Sequence, residues 1–238
     1  MKIAGLVKQS LVDYPGEVAA VLFSQGCNLS CPFCHNGHLI SINPKRNYYI
    51  EQEQVEQFFL ERQGFLDGVV FSGGEPTLQP ELSQMAERLK KQGYLLKLDT
   101  NGTNSKVLED LLEKQLLDYI AMDIKAPLEF KKYKHACGGR LTPLNFMNIR
   151  NSIQLLLKQQ DLTVEFRTTV VPALHKTNDI VDISKAIKGA AGYTLQQFNP
   201  EKPWSIHLRA ADTYTRKEME EIASGCREFV QNVRVLTM

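Results

Sequence analysis

Short apolar runs alternate with longer amphipathic segments along most of this 238-residue chain. Short runs rich in β-branched and aromatic residues predict six strands, at residues 18–23, 68–72, 94–98, 119–122, 163–171 and 194–198. Between them, apolar residues at three-to-four spacing predict helices at 51–63, 80–92, 105–115, 144–159 and 179–188. A last predicted helix, 215–231, leads to a candidate strand at 233–237.

Alternation of strand and helix indicates parallel strands joined by right-handed crossover connections. Six or so such units favour an open or incomplete barrel, because a full eightfold barrel typically needs about 250 residues. A doubly wound open sheet fits the same pattern. We expect one α/β core domain over residues 1–238, with an N-terminal extension at 1–17 and a C-terminal one at 200–238.

Three of the five cysteines, Cys27, Cys31 and Cys34, lie within eight residues in a C-x3-C-x2-C pattern. The next cysteine, Cys137, follows 103 residues after Cys34, so there is no local fourth thiolate. Closed structural metal sites usually have four protein ligands. Three cysteines on a four-iron cluster instead leave one iron open to a substrate.

Zinc is the alternative occupant of the cysteine cluster. Either His35 or His38 lies close enough in sequence to supply a fourth ligand, and thiolates suit zinc as well as iron. Electron-transfer ferredoxins fit less well, because they have a different local spacing and complete four-cysteine ligation.

The residues around the cysteines resemble a known family. Phe33 directly precedes the last cysteine, as in the signature of radical S-adenosylmethionine (SAM) enzymes. Residues 11–36, LVDYPGEVAAVLFSQGCNLSCPFCHN, are similar to the N-terminal region of glycyl-radical-enzyme activases. The best match is to the anaerobic ribonucleoside-triphosphate reductase activating proteins.

This resemblance implies a fold, cofactors and partners. It favours a partial (β/α)6 TIM-like barrel of the radical SAM type over the doubly wound sheet. It implies a [4Fe–4S] cluster on Cys27, Cys31 and Cys34. The open iron of that cluster binds SAM, which is cleaved to a 5′-deoxyadenosyl radical. The radical abstracts hydrogen from a glycine of a partner glycyl radical enzyme, and an electron donor such as a flavodoxin is required.

Polar or glycine-rich clusters follow four successive predicted strands, where both candidate architectures collect ligands. In chain order these are Cys27, Ser72-Gly73-Gly74-Glu75-Pro76, Asp99-Thr100-Asn101-Gly102 and Asp123-Ile124-Lys125. Because the carboxyl ends of parallel strands meet at one rim, we expect these clusters to converge there.

The glycine-rich cluster matches the GGE motif of the family, which contacts the methionyl amino group of SAM. Gly73 and Gly74 let the backbone approach a ligand without a Cβ clash, and the charge of Glu75 suits an ammonium or sulfonium group. An ordinary turn is the alternative interpretation of Gly73-Gly74-Glu75-Pro76.

The third and fourth clusters resemble a cation site. In pyruvate formate-lyase activases, residues matching Asp99, Thr100 and Asp123 bind a monovalent cation beside SAM. A cation would relieve the repulsion between two carboxylates and the SAM carboxylate. The Asn101-Gly102 pair is also a strong turn former, so a structural role is the alternative.

Two later residues complete the candidate site. Arg167 lies among apolar residues of a predicted strand, so we expect it to pair with Glu75, Asp123 or the SAM carboxylate. Some formate-lyase activases carry a SAM-contacting histidine after the sixth strand. Here Asn199 follows that strand, and we expect it to bond the ribose or the methionyl group.

The remaining cysteines are not expected to bind a cluster. Cys137 is interpreted as an exposed loop thiol, and Cys226 lies on an amphipathic helix. We expect His35 and Asn36 to shape the cysteine loop and not to bind iron.

Composition agrees with a cytoplasmic enzyme. The formal net charge of +1 and the absence of a basic run give no reason to expect nucleic-acid binding. Five cysteines argue for a reducing interior, and we see no apolar run that could be a signal peptide or a membrane span. Two alternatives stay open: a radical SAM enzyme for a small molecule, similar to deazaguanine synthases, and a zinc- or cluster-binding module without catalysis.

Overall fold

The computed structural model of the chain describes residues 1–44 and 49–237. Its strands are β1 (Ile3–Ser10), β2 (Ala19–Ser24), β3 (Gly68–Gly73), β4 (Leu95–Thr100), β5 (Tyr119–Asp123), β6 (Thr163–Val170), β7 (Gly192–Gln197) and β8 (Asn232–Leu236). They form one sheet in sequence order, in which β2 to β8 are parallel and β1 is antiparallel to β2.

Helices connect the parallel strands. They are α1 (Gln52–Glu61), α2 (Leu82–Lys91), α3 (Ser105–Glu113), α4 (Phe130–Ala136), α5 (Pro143–Leu156), α6 (Thr177–Ala186) and α7 (Arg216–Cys226). Among the described residues, no helix is long and apolar enough to cross a membrane.

The six predicted strands are confirmed as β2 to β7, and the candidate strand at the C-terminus is β8. Two elements were not predicted, β1 and the short α4. The β1 strand is hard to detect because its register with β2 shifts twice and only its end residues, Ile3 and Ser10, are buried. Both predicted extensions carry sheet strands, since β1 and β8 form its two edges.

Local side-chain bonds fix where helices begin. At the start of α7, the Thr215 hydroxyl accepts from the Glu218 amide at 3.3 Å, and the Glu218 carboxylate accepts from the Thr215 amide at 2.7 Å. This reciprocal pair is a capping box. Thr142 caps α5 in a similar way, accepting from the Asn145 amide at 3.1 Å, with Pro143 in the first turn.

The two faces of the sheet differ sharply in polarity. One face packs against the helices in the main apolar core. On the opposite face, at the amino ends of the strands, Tyr14 packs with Val21, Val70 and Tyr119, and its ring meets that of Tyr119 edge to face at 5.7 Å. The segment before β2 therefore fills this end of the curved sheet, while the carboxyl end of the same face carries charged residues.

Candidate active site

A cavity of about 250 Å³ lies at the carboxyl ends of the parallel strands. It is lined by most of the residues that the sequence predicted for the site: Cys27, Cys31, Phe33, Cys34, Gly73, Gly74, Glu75, Asp99, Thr100, Asp123 and Arg167. Asn199 does not line it. The expected convergence of four strand-end clusters on one rim is therefore found in the structure.

The cysteine loop is held from both sides. The amides of Gly26 and Cys27 donate to the carbonyls of Leu39 and Ile40 at 2.8 and 3.1 Å, which closes the loop on itself. Phe33 is buried beneath the loop, and the Lys125 ammonium lies 5.8 Å from the centroid of its ring. A cation over an aromatic face is attracted by the ring quadrupole.

A C-terminal strap, residues 199–208, crosses the outside of the cysteine loop. The amide of Trp204 donates to the Cys34 carbonyl at 2.8 Å, and the amide of Ser205 donates to the Pro32 carbonyl at the same distance. His35 Nε2 lies 3.0 Å from the Asn199 carbonyl oxygen, and its ring stacks on Phe198. His35 thus contacts the strap, in keeping with the expectation that it shapes the loop.

The three thiols share the cavity without surrounding one point. Within the described residues, no group of three or more His, Cys, Asp and Glu side chains is arranged to hold a single metal ion. Burial raises the pKa of Cys27 to about 12 and also raises that of Cys34. Ionisation of Cys27 and Cys34 would therefore be favoured by a bound metal cation.

Cys137 is not the exposed loop thiol expected from the sequence. It is fully buried, and its carbonyl accepts from the Ser30 amide at 3.2 Å. Its side chain is in contact with that of Cys31, and this contact is the main cause that lowers the pKa of Cys31. The interpretation was wrong because the preceding helix, α4, was not predicted, and that helix carries Cys137 back toward the cysteine loop.

The two glycines after β3 are required by contacts within the protein. A Cβ on Gly74 would lie 2.1 Å from the Gly26 carbonyl oxygen, and Gly73 has a positive φ of 110°. The amide of Gly74 donates to the Ser24 carbonyl at 2.9 Å, and the amide of Glu75 donates to the Gly26 carbonyl at 2.8 Å. These glycines therefore seat the segment that leads into the cysteine loop.

Glu75 is a buried carboxylate that joins two strand ends. Its Oε1 accepts from the Thr77 and Thr100 hydroxyls, each at 2.7 Å, and its Oε2 accepts from the Asn101 amide at 2.7 Å. Burial raises the pKa of Glu75, and these donors oppose that shift. Thr100 is committed to this bond, while Asn101 Nδ2 also reaches Asn28 at 3.1 Å.

Charges of alternating sign extend along the helix-free face of the sheet toward the cavity. Arg167 bridges two carboxylates, with Nε 2.9 Å from Asp123 Oδ1 and Nη1 3.2 Å from Asp99 Oδ1. Lys97 bonds Asp99 at 2.8 Å, and Lys125 bonds Asp123 at 2.8 Å. Asp123 was one of the partners expected for Arg167, and Asp99 was not. Glu75, another expected partner, forms none of the ion pairs found for Arg167.

The network keeps Asp123 and Lys125 charged. Burial opposes ionisation of Asp123, but Arg167 and Lys125 outweigh it and hold the pKa of this carboxyl below its ordinary value. Burial likewise disfavours the ammonium of Lys125, yet Asp123 and the sulfur of Cys31 raise its pKa. The repulsion that suggested a monovalent cation is therefore already relieved by protein cations, and such a cation stays a prediction.

Asn199 does not line the cavity, and its contact with SAM stays a prediction. Its Oδ1 accepts from the Glu201 amide at 2.8 Å within its own turn, so the side chain is directed to the strap. Gln196, near the end of β7, lines the cavity instead. Sequence reasoning placed Ser72 and Asn101 in the strand-end clusters without giving them a role, and it left out Thr169. Alternation along β3 and β6 could have identified Ser72 and Thr169, since both share the helix-free face with charged residues.

Comparison with known proteins identifies the family. The model of the radical SAM superfamily matches residues 21–172, which include the cysteine loop and the ends of β3 to β6. The chain belongs to the radical SAM superfamily. Enzymes of this superfamily use a [4Fe–4S] cluster and SAM, and the chain is accordingly a radical SAM oxidoreductase.

Relatives narrow this radical SAM enzyme to the activase group. A provisionally named glycyl-radical enzyme activating enzyme of Methanocaldococcus jannaschii is 35% identical over 99% of this chain and 96% of its own length. The pyruvate formate-lyase-activating enzyme of Clostridium pasteurianum is 34% identical over 129 residues, about half of each chain. The chain is thus similar to glycyl-radical enzyme activases over its whole length.

Solved structures support the fold alone. SuiB of Streptococcus suis, in a crystal structure with its precursor peptide, superposes on 91% of this chain and 48% of its own with a TM-score of 0.68 and 12% identity. The TIM-like partial barrel expected from the sequence is therefore confirmed.

Proposed function

We propose that this radical SAM enzyme is an activase that abstracts hydrogen from a glycine of a glycyl radical enzyme, with Cys27, Cys31 and Cys34 as the cluster ligands. The observation that carries the proposal is that these three thiols face one cavity together with the ends of β3 to β6. When bound there, the cluster supplies the electron that cleaves SAM.

The donor set of the cavity fits a cluster better than a zinc ion. Three thiols that line a common cavity, with no fourth cysteine among its lining residues, suit a four-iron cluster that leaves one iron open. His35, the histidine among the cavity's lining residues, has its Nε2 3.0 Å from the Asn199 carbonyl oxygen. Lys125, beside the thiols, would offset part of their negative charge once they ionise.

The polar residues of the cavity suit the methionyl end of SAM. Oε2 of Glu75 accepts one bond from Asn101 among the described residues, so a lone pair remains for an ammonium donor. Lys125, just after β5, and Arg167, on β6, also line the cavity and provide positive charge for a carboxylate. We assign Gly73, Gly74 and Glu75 to holding the amino group, and Asp99, Asp123 and Arg167 to setting the charge around it.

We further propose that the protein substrate is an anaerobic ribonucleotide reductase. Support comes from the similarity of residues 11–36 to the activating proteins of that reductase. A low-potential donor such as a flavodoxin would supply the electron. The five cysteines, all within the described residues, are free thiols, which suits action in the reducing cytoplasm.

The decisive experiment mixes the reconstituted protein with SAM, a reductant and the reductase from the same cell under anaerobic conditions. We expect a doublet EPR signal of a glycyl radical on the reductase and none on this chain. Cys27→Ala, Cys31→Ala and Cys34→Ala should each lose both the iron and the signal. Cys226→Ser, a buried thiol far from the cavity, serves as the control.

Other outcomes would contradict specific parts of the proposal. Stoichiometric zinc without iron after anaerobic expression would rule out the cluster. A radical on a different glycyl radical enzyme would contradict the proposed partner but would still support the activase function. Turnover of a small molecule, with no radical on any co-expressed glycyl radical enzyme, would replace the activase by the small-molecule alternative.

A further inference from the structure

Two cysteines that are 106 positions apart in sequence meet beside the cavity. Both residues are buried, and their side chains are in contact. The backbone around them is fixed: Ser30 donates to the Cys137 carbonyl at 3.2 Å through its amide and to the Gly138 carbonyl at 3.2 Å through its hydroxyl.

Packing leaves little freedom to separate the pair. A Cβ on Gly138 would lie 2.1 Å from the Ser30 carbonyl oxygen, so the chain after Cys137 is pressed against the residue before Cys31. Tyr133, on the helix that carries Cys137, is fully buried and its hydroxyl accepts from the Lys125 amide at 3.1 Å. The two sulfurs are thus held near each other by the fold itself.

The pair is asymmetric in its access to the cavity. Cys31 lines the cavity, whereas Cys137 lies behind it and does not. A small oxidant that enters the cavity therefore reaches Cys31 first and finds Cys137 as the adjoining thiol. This is the arrangement of an attacked cysteine and a resolving cysteine in redox-sensitive proteins.

We propose that Cys31 and Cys137 form a reversible disulfide when Cys31 carries no iron and a peroxide is present. The disulfide would store the cluster-free protein in a state that cannot assemble a cluster until it is reduced. This inference rests on the proposed function only in taking Cys31 as a cluster ligand.

The chemistry balances with hydrogen peroxide as the oxidant. The Cys31 sulfur attacks one peroxide oxygen and becomes a sulfenic acid, while the other oxygen leaves as water. The Cys137 sulfur then attacks the Cys31 sulfur and displaces the hydroxyl, which takes the Cys137 proton and leaves as a second water. Two thiols lose two electrons and two protons, and the peroxide gains them. A dithiol reductant reverses the step by exchange and is itself oxidised to a disulfide.

The test uses the full chain, stripped of iron anaerobically and treated with one equivalent of hydrogen peroxide. Trypsin should then release residues 9–45 joined to residues 135–140, since cleavage is expected after Lys8, Lys45, Lys134 and Arg140. Mass spectrometry without reduction detects the joined peptides, and fragmentation locates the bond on Cys31. Cys31→Ser should lose the link, and Cys226→Ser should retain it.

Each outcome decides a different point. Two results in the unmodified chain would overturn the proposal. One is a disulfide confined to the cysteine loop, such as one between Cys31 and Cys34. The other is a Cys137 thiol that stays reduced. If the link forms, iron uptake should be lost and should return after dithiothreitol. A link that leaves iron uptake unchanged would overturn the stored-state role and would contradict Cys31 as a ligand, and thus the proposed function, while the thiol pair itself would stand.

Discussion

The carboxylate of Glu75 accepts a 2.7 Å hydrogen bond from the backbone amide of Asn101, and this bond ties the end of β3 to the loop after β4. Asn101 in turn reaches the cysteine loop, with Nδ2 3.7 Å from the Cys27 sulfur. One buried side chain therefore links three segments of the cavity. Loss of this side chain should therefore lower both the affinity for SAM and the stability of the fold.

Replacing Glu75 by glutamine should weaken both SAM binding and the fold. The amide group keeps the shape but turns one acceptor into a donor, which would face the Asn101 amide or the threonine hydroxyls. Losing a hydrogen bond to a charged group costs roughly 1.5–3 kcal/mol, or about 10- to 150-fold in affinity. Calorimetric titration with SAM and urea unfolding would measure the two effects. Glu109→Gln, at an exposed position of α3, is the matched control. Equal affinity in the Glu75 and Glu109 variants would contradict the role given to Glu75.

The positions of the site residues were predictable, but most of their partners were not. Strand-end placement identified Glu75, Asp99 and Asp123, because the strand order and the period of two survive errors of a few residues at element boundaries. The bond from Glu75 to Thr100 spans 25 residues, and nothing local in the sequence encodes it. Tertiary packing of this kind is visible only once the strands are side by side.

One wrong expectation and one that stays a prediction have a common physical origin. Cys137 was interpreted as exposed and Asn199 as facing the cofactor, and both lie just beyond a helix or strand, where the direction of the chain decides the contact. The seven-residue α4 turns Cys137 inward. After β7 the Asn199 side chain bonds its own turn, and the residue lies on the strap. Turn geometry at single residues is the least predictable part of a chain.

Replacing Gly74 by alanine should disrupt the cysteine loop and not SAM binding alone. The new Cβ would lie 2.1 Å from the Gly26 carbonyl oxygen, a contact that backbone atoms can relieve only by moving apart. We expect lower iron content after reconstitution and a lower midpoint of thermal unfolding. In Gly192→Ala the nearest atom is 3.8 Å away, so this control should keep its iron and change stability by no more than about 1 kcal/mol. Full iron content in the Gly74 variant would show that the close approach is not required.

Replacing Arg167 by methionine should destabilise the enzyme strongly. The change leaves Asp99 and Asp123 without the cation that bridges them, and breaking a buried ion pair on one side typically costs about 3–5 kcal/mol. Lysine should restore only part of the loss, because an ammonium cannot span both carboxylates as the guanidinium does. Urea unfolding at neutral pH measures the change.

The matched control for this change is Arg227→Met. Arg227 pairs with Glu220 at 3.2 Å on the exposed surface of the chain, where an ion pair is worth about 0–1 kcal/mol. Similar losses in the two variants would mean that the buried network contributes no more than a surface pair.

His175 should make the stability of the fold depend on pH. This buried imidazole accepts from the Val171 amide at Nδ1, 3.1 Å away, so its proton is on Nε2, which donates to the Lys125 carbonyl at 2.8 Å. Burial lowers its pKa below the ordinary value of 6.5. Below that value the unfolded chain takes up a proton that the folded chain resists. The contribution of His175 is therefore complete above about pH 6.5 and is lost as the pH falls toward the lower pKa of the folded state.

The measurement is the free energy of unfolding from about pH 8 to about pH 5, where one histidine can contribute a slope of up to about 1.4 kcal/mol per pH unit. His175→Gln should be less stable at about pH 8, because the bond to the Lys125 carbonyl is weakened, and should have a flatter curve. His207→Gln, at an exposed histidine, should follow the unmodified enzyme. Because the two variants remove the same type of side chain, parallel curves for the unmodified enzyme and His175→Gln would assign the acid sensitivity to other groups. A flatter curve in His175→Gln alone would assign the acid sensitivity to His175, whose side chain bonds the carbonyl of Lys125.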